Sequence, residues 1–338
     1  MTGPIMPGPT GPIVVVGDLL LDRDVTGTAD RLCPDAPVPV LTERSTSARP
    51  GGAGLAATFL ARDGAEVVLV GAAGTDEAGL LVRDLLDRIG VTFIEVPYDG
   101  PTPEKIRLRS GSHPLLRLDR GVQQGAFGAV GDEVREVLRS ASAVLVSDYG
   151  RGITGLPAIR RQLAAVAPRV PLVWDPHPRG ATPVPEARLV CPNRTEAAGF
   201  AAALGADLDD GRIDGITTAT DRAVAAEARI LRGTWRATAV AVTMGHRGAM
   251  LAEGEHPPTL VAAPITASAD SCGAGDRFAA AAVLALTRRA GVAQAVRAAV
   301  ATASAYVEAG GPAVLSRQDY VPGGSAQQQQ LDVYIDIE

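Results

Sequence analysis

Short apolar runs that end in glycine or a polar residue alternate along this chain with segments of helical periodicity. The runs read IVVVG at 13–17, EVVLVG at 66–71, AVLVSD at 143–148, PLVWD at 171–175, RLVCP at 188–192 and AVAVTMG at 239–245. Runs of this length are typical of strands that a sheet buries on both faces. Helical patterns lie between most of them, at residues 54–62, 78–89 and 132–140. The alternation predicts an α/β fold with a doubly wound, mostly parallel sheet flanked by helices.

Two segments interrupt the alternation, because they are rich in Pro, Thr and β-branched residues and have no helical period. They cover about 24–45 and 91–120, and we expect them to form a small β-lid outside the main sheet. We expect the Pro- and Gly-rich residues 1–12 to be a flexible leader and residues 13–320 to be one domain. Residues 321–338 are expected to be a low-complexity tail, to which we assign no function.

Composition and charge narrow the classes of function. The chain has 338 residues, 46% of them hydrophobic, and a net charge of −6. We expect no nucleic-acid partner and no membrane, because phosphate-rich surfaces need clustered cations and no apolar run approaches the roughly 18 residues of a membrane span. The N-terminus lacks the pattern of a signal peptide, and Cys33, Cys191 and Cys272 have no metal-ligand spacing. A reduced, cytoplasmic location is therefore expected.

Acidic and amide side chains follow the predicted strands at their carboxyl ends. They are Asp18, Asp22, Asp148, Asp175, Asn193 and Glu196. The carboxyl ends of parallel strands form the ligand crevice of an open sheet. Any one of these residues could instead cap a helix or a turn, but five acids at one sheet edge favour a binding site.

The stretch ADSCGAGDRFAAAAVLAL, residues 269–286, places Gly273, Ala274, Gly275 and Asp276 at the start of a predicted helix. Free amides and the positive end of the helix dipole make such a start an anion site, and Asp276 could act beside it as a base. Two other interpretations stay open here: Asp276 could only cap the helix, or Cys272 could be a reactive thiol. The chain has no GxxxxGK[ST] loop, so this helix start would have to replace the usual phosphate loop.

Three further motifs each have a structural and a functional interpretation. TMGHRGAML, residues 243–251, predicts a strand, a glycine turn and a strand, which could be an ordinary hairpin or a surface for a nucleotide. Asn193 and Glu196 of CPNRTEA could be a helix N-cap with a first-turn acid, or oxygen ligands of a hydrated magnesium ion. The glycines Gly51 and Gly52 of RPGGAG allow close helix packing or close approach of a substrate.

Taken in order, these motifs resemble the signatures of the ribokinase-like (PfkB-type) sugar kinases. PGGAG, PNRTE, TMGHRG and DSCGAGD correspond to four family signatures, and the resemblance covers residues 13–314. The stretches VVVGDLLLDRDVTG, DRLCPDAPVPVL, EKIRLRSGSHPLLRLDRG and LVSDYGRG further resemble the kinase domain of bacterial heptose-7-phosphate kinases, which is often fused to an adenylyltransferase. The sequence has no His-x-Gly-His motif of that second domain, so we expect a kinase alone.

The resemblance implies ATP-dependent phosphorylation of a sugar hydroxyl, with Asp276 as base and the amides of Gly273, Ala274 and Gly275 as an anion hole. It assigns Asn193 and Glu196 to the phosphates and, through water, to Mg²⁺, and it assigns Thr243, Gly245 and Gly248 to the nucleotide. The resemblance assigns the binding of the sugar hydroxyls to Asp18, Asp22, Gly51, Gly52 and Asp148. In the heptose subgroup the anomeric hydroxyl is phosphorylated to give a 1,7-bisphosphate, and Lys105 and Arg117 are the candidates for the 7-phosphate.

Three departures from the family pattern leave other functions open. Leu55 replaces an asparagine that usually touches the sugar, Arg151 replaces a lysine, and Ser271 or Cys272 replaces a threonine. Lys105 and Arg117 could also be ordinary surface charges. The alternatives are a PfkB-type kinase for ribose, fructose or a nucleoside, and a non-catalytic sugar or nucleotide sensor. By analogy with the family, we expect a homodimer formed through the β-lid, with residues 34–41 as an edge strand.

Overall fold

The structure is a computed structural model that describes residues 11–111, 113–123, 125–205, 218–264 and 270–315. The predicted tail and residues 1–10 of the predicted leader lie outside these ranges. The strands of the described chain are β1 (Ile13–Gly17), β2 (Leu19–Cys33), β3 (Ala36–Gly52), β4 (Val67–Gly71), β5 (Thr92–Glu95), β6 (Glu104–Ser110), β7 (His113–Arg120), β8 (Ala143–Ser147), β9 (Leu172–Asp175), β10 (Leu189–Val190), β11 (Ala239–Thr243), β12 (Ala249–Glu253) and β13 (Thr259–Val261).

The helices fall between these strands. They are α1 (Ala53–Arg62), α2 (Glu77–Arg88), α3 (Asp132–Ser140), α4 (Pro157–Val166), α5 (Arg194–Ala203), α6 (Ala219–Trp235), α7 (Ala274–Thr287) and α8 (Val292–Glu308). None of the helices in the described ranges combines the length and the apolar character that a membrane crossing requires.

The main sheet, as far as the described residues show it, has nine strands in the order β13-β12-β11-β10-β9-β8-β1-β4-β5. β12 is antiparallel to both of its neighbours, and every other neighbouring pair is parallel. The predicted doubly wound, mostly parallel sheet flanked by helices is confirmed.

The hydrophobic core lies on both faces of this sheet. Val15 of β1 belongs to the cluster formed with α1, α2, α7 and α8, whereas Val14 and Val16 belong to the cluster formed with α3, α4, α5 and α6. Because successive strand residues point to opposite faces, a strand covered on both sides must be apolar at every position. That requirement explains the continuous apolar runs in the sequence.

A second sheet of four strands, in the order β3-β2-β6-β7, carries most of the two segments that have no helical period. It differs from the predicted β-lid at two places. β2 and β3 form one long hairpin that starts at Leu19 and returns to Gly52, because the base of this hairpin is buried against the main sheet. Residues 92–95 are β5, an edge strand of the main sheet, so the prediction that 91–120 lies outside that sheet is wrong there. The sequence could not reveal this difference, because an edge strand of the main sheet and a strand of the lid have the same pattern of β-branched residues.

The base of the hairpin brings two predicted site regions together. The amide of Ala53 donates to the carbonyl of Asp18 at 3.1 Å. Gly52 has a φ of 59°, and a Cβ on it would lie 2.4 Å from that carbonyl oxygen. A Cβ on Gly51 would lie 2.9 Å from the carboxylate of Asp22. The paired glycines therefore allow the start of α1 to pack closely against the strand-end acids. This is the packing interpretation of the motif.

Candidate active site

The N-terminus of α7 is a glycine turn. Gly273 caps the helix with a φ of 80°, a left-handed conformation that favours glycine. The amide of Ala274 donates to the carbonyl of Ser271 at 3.0 Å and so closes the turn. No described residue accepts a hydrogen bond from the amide of Gly275, and a Cβ on Gly275 would meet nothing within 4 Å. Of the three amides in the predicted anion hole, that of Ala274 is thus already bonded and that of Gly275 is free to donate.

Asp276 lies in the first turn of α7 and is 6% exposed. Burial raises the pKa of its carboxyl from 3.8 to about 7, and the neighbouring carboxylate of Asp22 acts in the same direction. Three groups oppose the rise: the hydroxyl of Tyr149, which donates to Oδ1 at 2.7 Å, the ammonium of Lys105, and the backbone amide of Asp276 itself. A carboxyl with a pKa near neutrality is suited to accept a proton from an alcohol.

Asp18, at the end of β1, anchors the loop that follows β8. Its carboxylate accepts the amides of Tyr149 and Arg151, both at 2.9 Å, and that of Ile153 at 3.4 Å. Burial raises the pKa of Asp18, while these amides favour the ionised form. In this structure Asp18 therefore fixes the backbone from which Tyr149 projects towards Asp276.

Asp148, at the end of β8, holds a neighbouring turn. It accepts the amides of Gly150 at 2.8 Å and Ala181 at 3.0 Å, and the hydroxyl of Thr154 at 2.6 Å. The side chain is 3% exposed. Both predicted sugar ligands on these strand ends thus have protein partners, and both lie beside the loop that reaches the candidate base.

One face of the second sheet points towards α7 and carries charged residues. Arg107 on β6 donates to Oδ1 of Asp22 at 3.1 Å and to Sγ of Cys272 at 3.2 Å. Two positions earlier on the same strand, the ammonium of Lys105 lies 4.9 Å from the ring centre of Tyr149. Burial lowers the pKa of Lys105, and Asp22 opposes the shift. Lys105 and Asp22 of the predicted set therefore lie near each other and near the loop that follows β8.

Arg117 shares this face but stands further out. It lies opposite Arg107 in the antiparallel register of β6 and β7, and it donates to Asp119 at 2.8 Å. Its side chain is 59% exposed. The structure therefore puts the two predicted phosphate ligands in different settings, Lys105 beside the candidate base and Arg117 on the outer strand.

Asn193 and Glu196 form a reciprocal cap at the start of α5. Oδ1 of Asn193 accepts the amide of Glu196 at 3.0 Å, and Oε2 of Glu196 accepts the amide of Asn193 at 2.8 Å. This is the capping interpretation of the motif. Burial raises the pKa of Glu196, while its bonds to Asn193 lower it. Asn193 also bridges to Thr243 in parallel register, which joins two predicted nucleotide residues.

The turn after Thr243 depends on its glycines. Gly245 and Gly248 have φ values of 60° and 100°, and a Cβ on Gly248 would lie 2.0 Å from the carbonyl oxygen of Val261. The turn links β11 to β12 as an antiparallel hairpin. Arg247 in the turn donates to Asp221 of α6 at 2.6 Å. This hairpin lies beside Asn193, which bridges to Thr243 at the end of β11.

Asp175, at the end of β9, has several acidic neighbours. Burial raises the pKa of Asp175 well above its usual range, and the carboxylates of Asp276, Glu196 and Asp148 raise it further. A cation would relieve this repulsion. Within the described ranges, no three His, Cys, Asp or Glu side chains are arranged to hold a metal by themselves. A magnesium ion, which is usually held by one or two carboxylates, water and substrate phosphates, would not need such a group.

Three residues of this site were not among the predicted ligands. Arg107 could have been found from the period of two that puts it on the face of Lys105. Asp175 carried the strand-end signal but had no family motif to support it. Tyr149 had no local signal, because its contact with Asp276 joins positions 127 apart in the chain.

Comparison with known proteins gave matches over most of this chain. The profile of a family described as "pfkB family carbohydrate kinase" matches residues 12–318. The bifunctional protein HldE of Streptomyces coelicolor is 52% identical over 93% of this chain and 64% of its own length. HldE of Caulobacter vibrioides is 36% identical over 84% of this chain and 57% of its own length. The chain thus spans less than two thirds of these relatives.

Solved structures share the fold. Phosphofructokinase-2 from Escherichia coli, in complex with substrates and products, superposes with a TM-score of 0.62 at 20% identity, over 88% of this chain and 93% of that chain. Ribokinase from Cryptococcus neoformans var. grubii serotype A, in complex with ADP, gives a TM-score of 0.64 at 18% identity, over 88% of this chain and 94% of that chain. At this identity the likeness concerns the fold alone.

Proposed function

The chain belongs to the pfkB family of carbohydrate kinases, and we propose that it transfers the terminal phosphoryl group of ATP to the anomeric hydroxyl of a heptose 7-phosphate. The product would be the 1,7-bisphosphate. The family makes the chain a phosphotransferase that acts on a sugar hydroxyl. The heptose, the position phosphorylated and the roles of individual residues are the proposal.

The observation that carries the proposal is the position of Asp276. Its buried carboxyl, with a pKa of about 7, lies one residue from Gly275, whose amide has no acceptor among the described residues. A proton acceptor and an anion-binding amide are therefore joined in one helical turn. Phosphoryl transfer to an alcohol needs these two groups side by side, because charge develops on the phosphoryl oxygens as the hydroxyl loses its proton.

In the proposed reaction, the carboxylate of Asp276 accepts the hydroxyl proton while the hydroxyl oxygen forms a bond to the terminal phosphorus of ATP. The bond between that phosphorus and the bridging oxygen breaks, ADP leaves with its electron pair, and Asp276 later releases the proton to solvent. The amides of Gly275 and Gly273 donate to the phosphoryl oxygens. The amide of Ala274 can join them only if it leaves the carbonyl of Ser271.

Thr243, Gly245 and Gly248 would support the nucleotide on the hairpin of β11 and β12 described above. Asp175 and Glu196 would hold Mg²⁺, with Asn193 contributing through water, and the ion would neutralise charge on the ATP phosphates. The support for this arrangement is geometric: Asp175 ends β9, Asn193 and Glu196 follow the neighbouring strand β10, and Glu196 is close enough to Asp175 to raise its pKa.

Support for a phosphorylated sugar comes from the charged face of the second sheet. Lys105 lies beside the candidate base, and Arg117 lies on the outer strand of the same face. A sugar that places its anomeric hydroxyl at Asp276 could extend its distal phosphate along this face. Asp18, Asp22, Gly51, Gly52 and Asp148 would surround the sugar ring, although Asp18 and Asp148 would do so in addition to the loop amides that they already hold.

The substrate can be tested by ADP release across a panel of sugars, together with thermal shift. We expect turnover with heptose 7-phosphate and a larger rise in melting temperature with this compound than with the unphosphorylated heptose. The difference should be lost in Lys105→Met and kept in Arg135→Gln, a matched loss of one exposed cation on α3.

Each contrary result points to a defined alternative. Equal stabilisation by both heptoses would show that the protein does not recognise the 7-phosphate and that Lys105 does not bind it. Turnover with ribose, fructose or a nucleoside alone would identify a different substrate class. Tight nucleotide binding without turnover of any sugar would favour the alternative of a non-catalytic sensor.

We further propose a homodimer formed through the second sheet. Leu116 and Leu118 of β7 lie on the face opposite Arg117 and are 58% and 40% exposed. Burial of such a patch against a second copy would remove apolar surface from water. Light scattering should show a dimer for the unaltered chain and a monomer for Leu116→Glu combined with Leu118→Glu, and a monomer for both would disprove the dimer.

A further inference from the structure

Tyr149 is the group that contacts the candidate base most directly. Its hydroxyl donates to Oδ1 of Asp276 at 2.7 Å. The backbone behind it is fixed, because the carboxylate of Asp18 accepts the amides of Tyr149 and Arg151. The half-buried ring lies under the ammonium of Lys105, 4.9 Å from the ring centre. Three independent contacts, at the hydroxyl, the ring face and the amide, thus determine where this phenol points.

We propose that Tyr149 is a positioning residue for the base: it holds one carboxylate oxygen of Asp276, favours the ionised form, and leaves the other oxygen for the acceptor hydroxyl. The inference deepens the proposed function, since it takes Asp276 to be the proton acceptor.

The hydrogen bond can run in only one direction when Asp276 is ionised, because a carboxylate only accepts. Burial raises the pKa of Tyr149 well above 10.0, and the carboxylates of Asp276 and Asp175 raise it further. The phenol therefore keeps its proton over the working range of pH. Tyr149 does not compete with Asp276 for the proton of the substrate.

The other charged and titratable groups that act on Asp276 come from several elements. Asp22 and Lys105 lie on the second sheet, with opposite effects on the pKa of Asp276. Asp175 at the end of β9 and Tyr306 of α8 interact with the same carboxylate. Tyr149 is the one whose hydrogen bond to the carboxylate the structure records. Removal of its hydroxyl should therefore move the titration of Asp276 upward.

The test is the carboxyl titration of Asp276 followed by ¹³C NMR on aspartate-labelled protein without substrate, with the resonance assigned from Asp276→Asn. In Tyr149→Phe we expect the midpoint to rise by roughly one pKa unit, the size typical of a lost hydrogen bond to a charged group. Tyr98→Phe is the matched control, because its hydroxyl accepts the amide of Gly125 and it should leave the midpoint unchanged. The acid limb of kcat/KM against pH should move with the midpoint in Tyr149→Phe.

An unchanged midpoint in Tyr149→Phe would overturn the inference, as would an acid limb of kcat/KM that stays in place. If that variant does not fold, uniform 3-fluorotyrosine labelling replaces it. Fluorination makes the phenol a stronger donor, so the midpoint should fall, and a midpoint that stays in place would again count against Tyr149. Because the titration needs no substrate, it can succeed or fail separately from the sugar assays that test the proposed function.

Discussion

Arg109 of β6 and Asp270 are joined by a hydrogen-bonded ion pair, with Nη2 of the arginine 2.6 Å from Oδ2 of the aspartate. The other oxygen of Asp270 accepts the amide of Cys272 at 3.0 Å. Since Gly273 follows directly, the second sheet is tied to the turn that would bind the phosphoryl group. Arg107 adds a second link from the same strand through the sulfur of Cys272.

Loss of this ion pair should weaken sugar binding more than chemistry. We expect Arg109→Gln to raise KM for the sugar by about two- to fivefold, which corresponds to the roughly 1 kcal/mol or less of a partly exposed pair, with a smaller change in kcat. Steady-state kinetics at low and high salt measure the changes in KM and kcat. Arg135→Gln, which breaks an exposed pair with Asp132 on α3, should change neither constant, and an unchanged KM in Arg109→Gln would show that the link does not organise the site.

The sequence predicted the fold and the edge of the sheet where the candidate site lies, because both depend on local patterns. The apolar runs identified the buried strands, and the glycine turn before Asp276 identified the helix start. Leu189–Val190 is the shortest strand of the described residues, yet its run was recognised from its apolar residues. These features rest on residues close together in the chain.

What could not be predicted depends on contacts between distant positions. Asp18 and Asp148 stood out as strand-end acids, but their partners are the amides and hydroxyl of loops up to 135 positions away. Tyr149 follows Asp148 in the sequence with nothing to distinguish it from a core aromatic residue. Its role becomes visible only when α7 brings Asp276 to its hydroxyl.

The base assignment predicts a large effect on turnover. Asp276→Asn keeps the shape of the side chain but cannot accept the proton, so kcat should fall by roughly two to four orders of magnitude. Nucleotide binding, measured by calorimetry with ADP, should be retained within a few-fold. Full activity in Asp276→Asn would show that another group, or water, takes the proton.

The pH profile follows from the raised pKa of Asp276. The base must be ionised to work, so kcat/KM should increase with pH and level off above a midpoint near the value of about 7. The measurement is kcat/KM for the sugar between roughly pH 5 and 9 at saturating nucleotide. A profile that is already flat below pH 6 would mean that the carboxyl is ionised far more easily than its burial implies.

The same shift makes the base costly for stability. The pKa of this carboxyl rises from 3.8 to about 7 on folding. The carboxyl therefore stabilises the native state at pH values below its unfolded pKa, and this stabilisation is lost as the pH rises through its folded pKa. At about 1.4 kcal/mol per pKa unit the full loss is about 4 kcal/mol. The stability of Asp276→Asn relative to the unaltered protein should therefore rise between pH 4 and pH 8 by up to about this amount. Urea unfolding at both pH values measures it, and a constant difference would contradict the shift.

Leu55 and Gly273 give the last prediction, because the aliphatic side chain that replaces the family asparagine packs against the glycine turn at the start of α7. A Cβ on Gly273 would lie 2.9 Å from Cδ2 of Leu55 and 3.1 Å from the hydroxyl of Tyr306, and the φ of 80° disfavours any side chain. Gly273→Ala should lower the free energy of unfolding by about 1–3 kcal/mol and reduce kcat.

The variant Leu55→Ala can separate two causes of the loss in Gly273→Ala, the clash with Leu55 and the strain of the backbone at position 273. This change alone should lower stability by about 2–4 kcal/mol, since Leu55 is 4% exposed. In the double variant the side-chain clash is relieved but the backbone strain is not, so its loss should be smaller than the sum of the single losses by about 1 kcal/mol. Additive losses would mean that Leu55 does not support the turn.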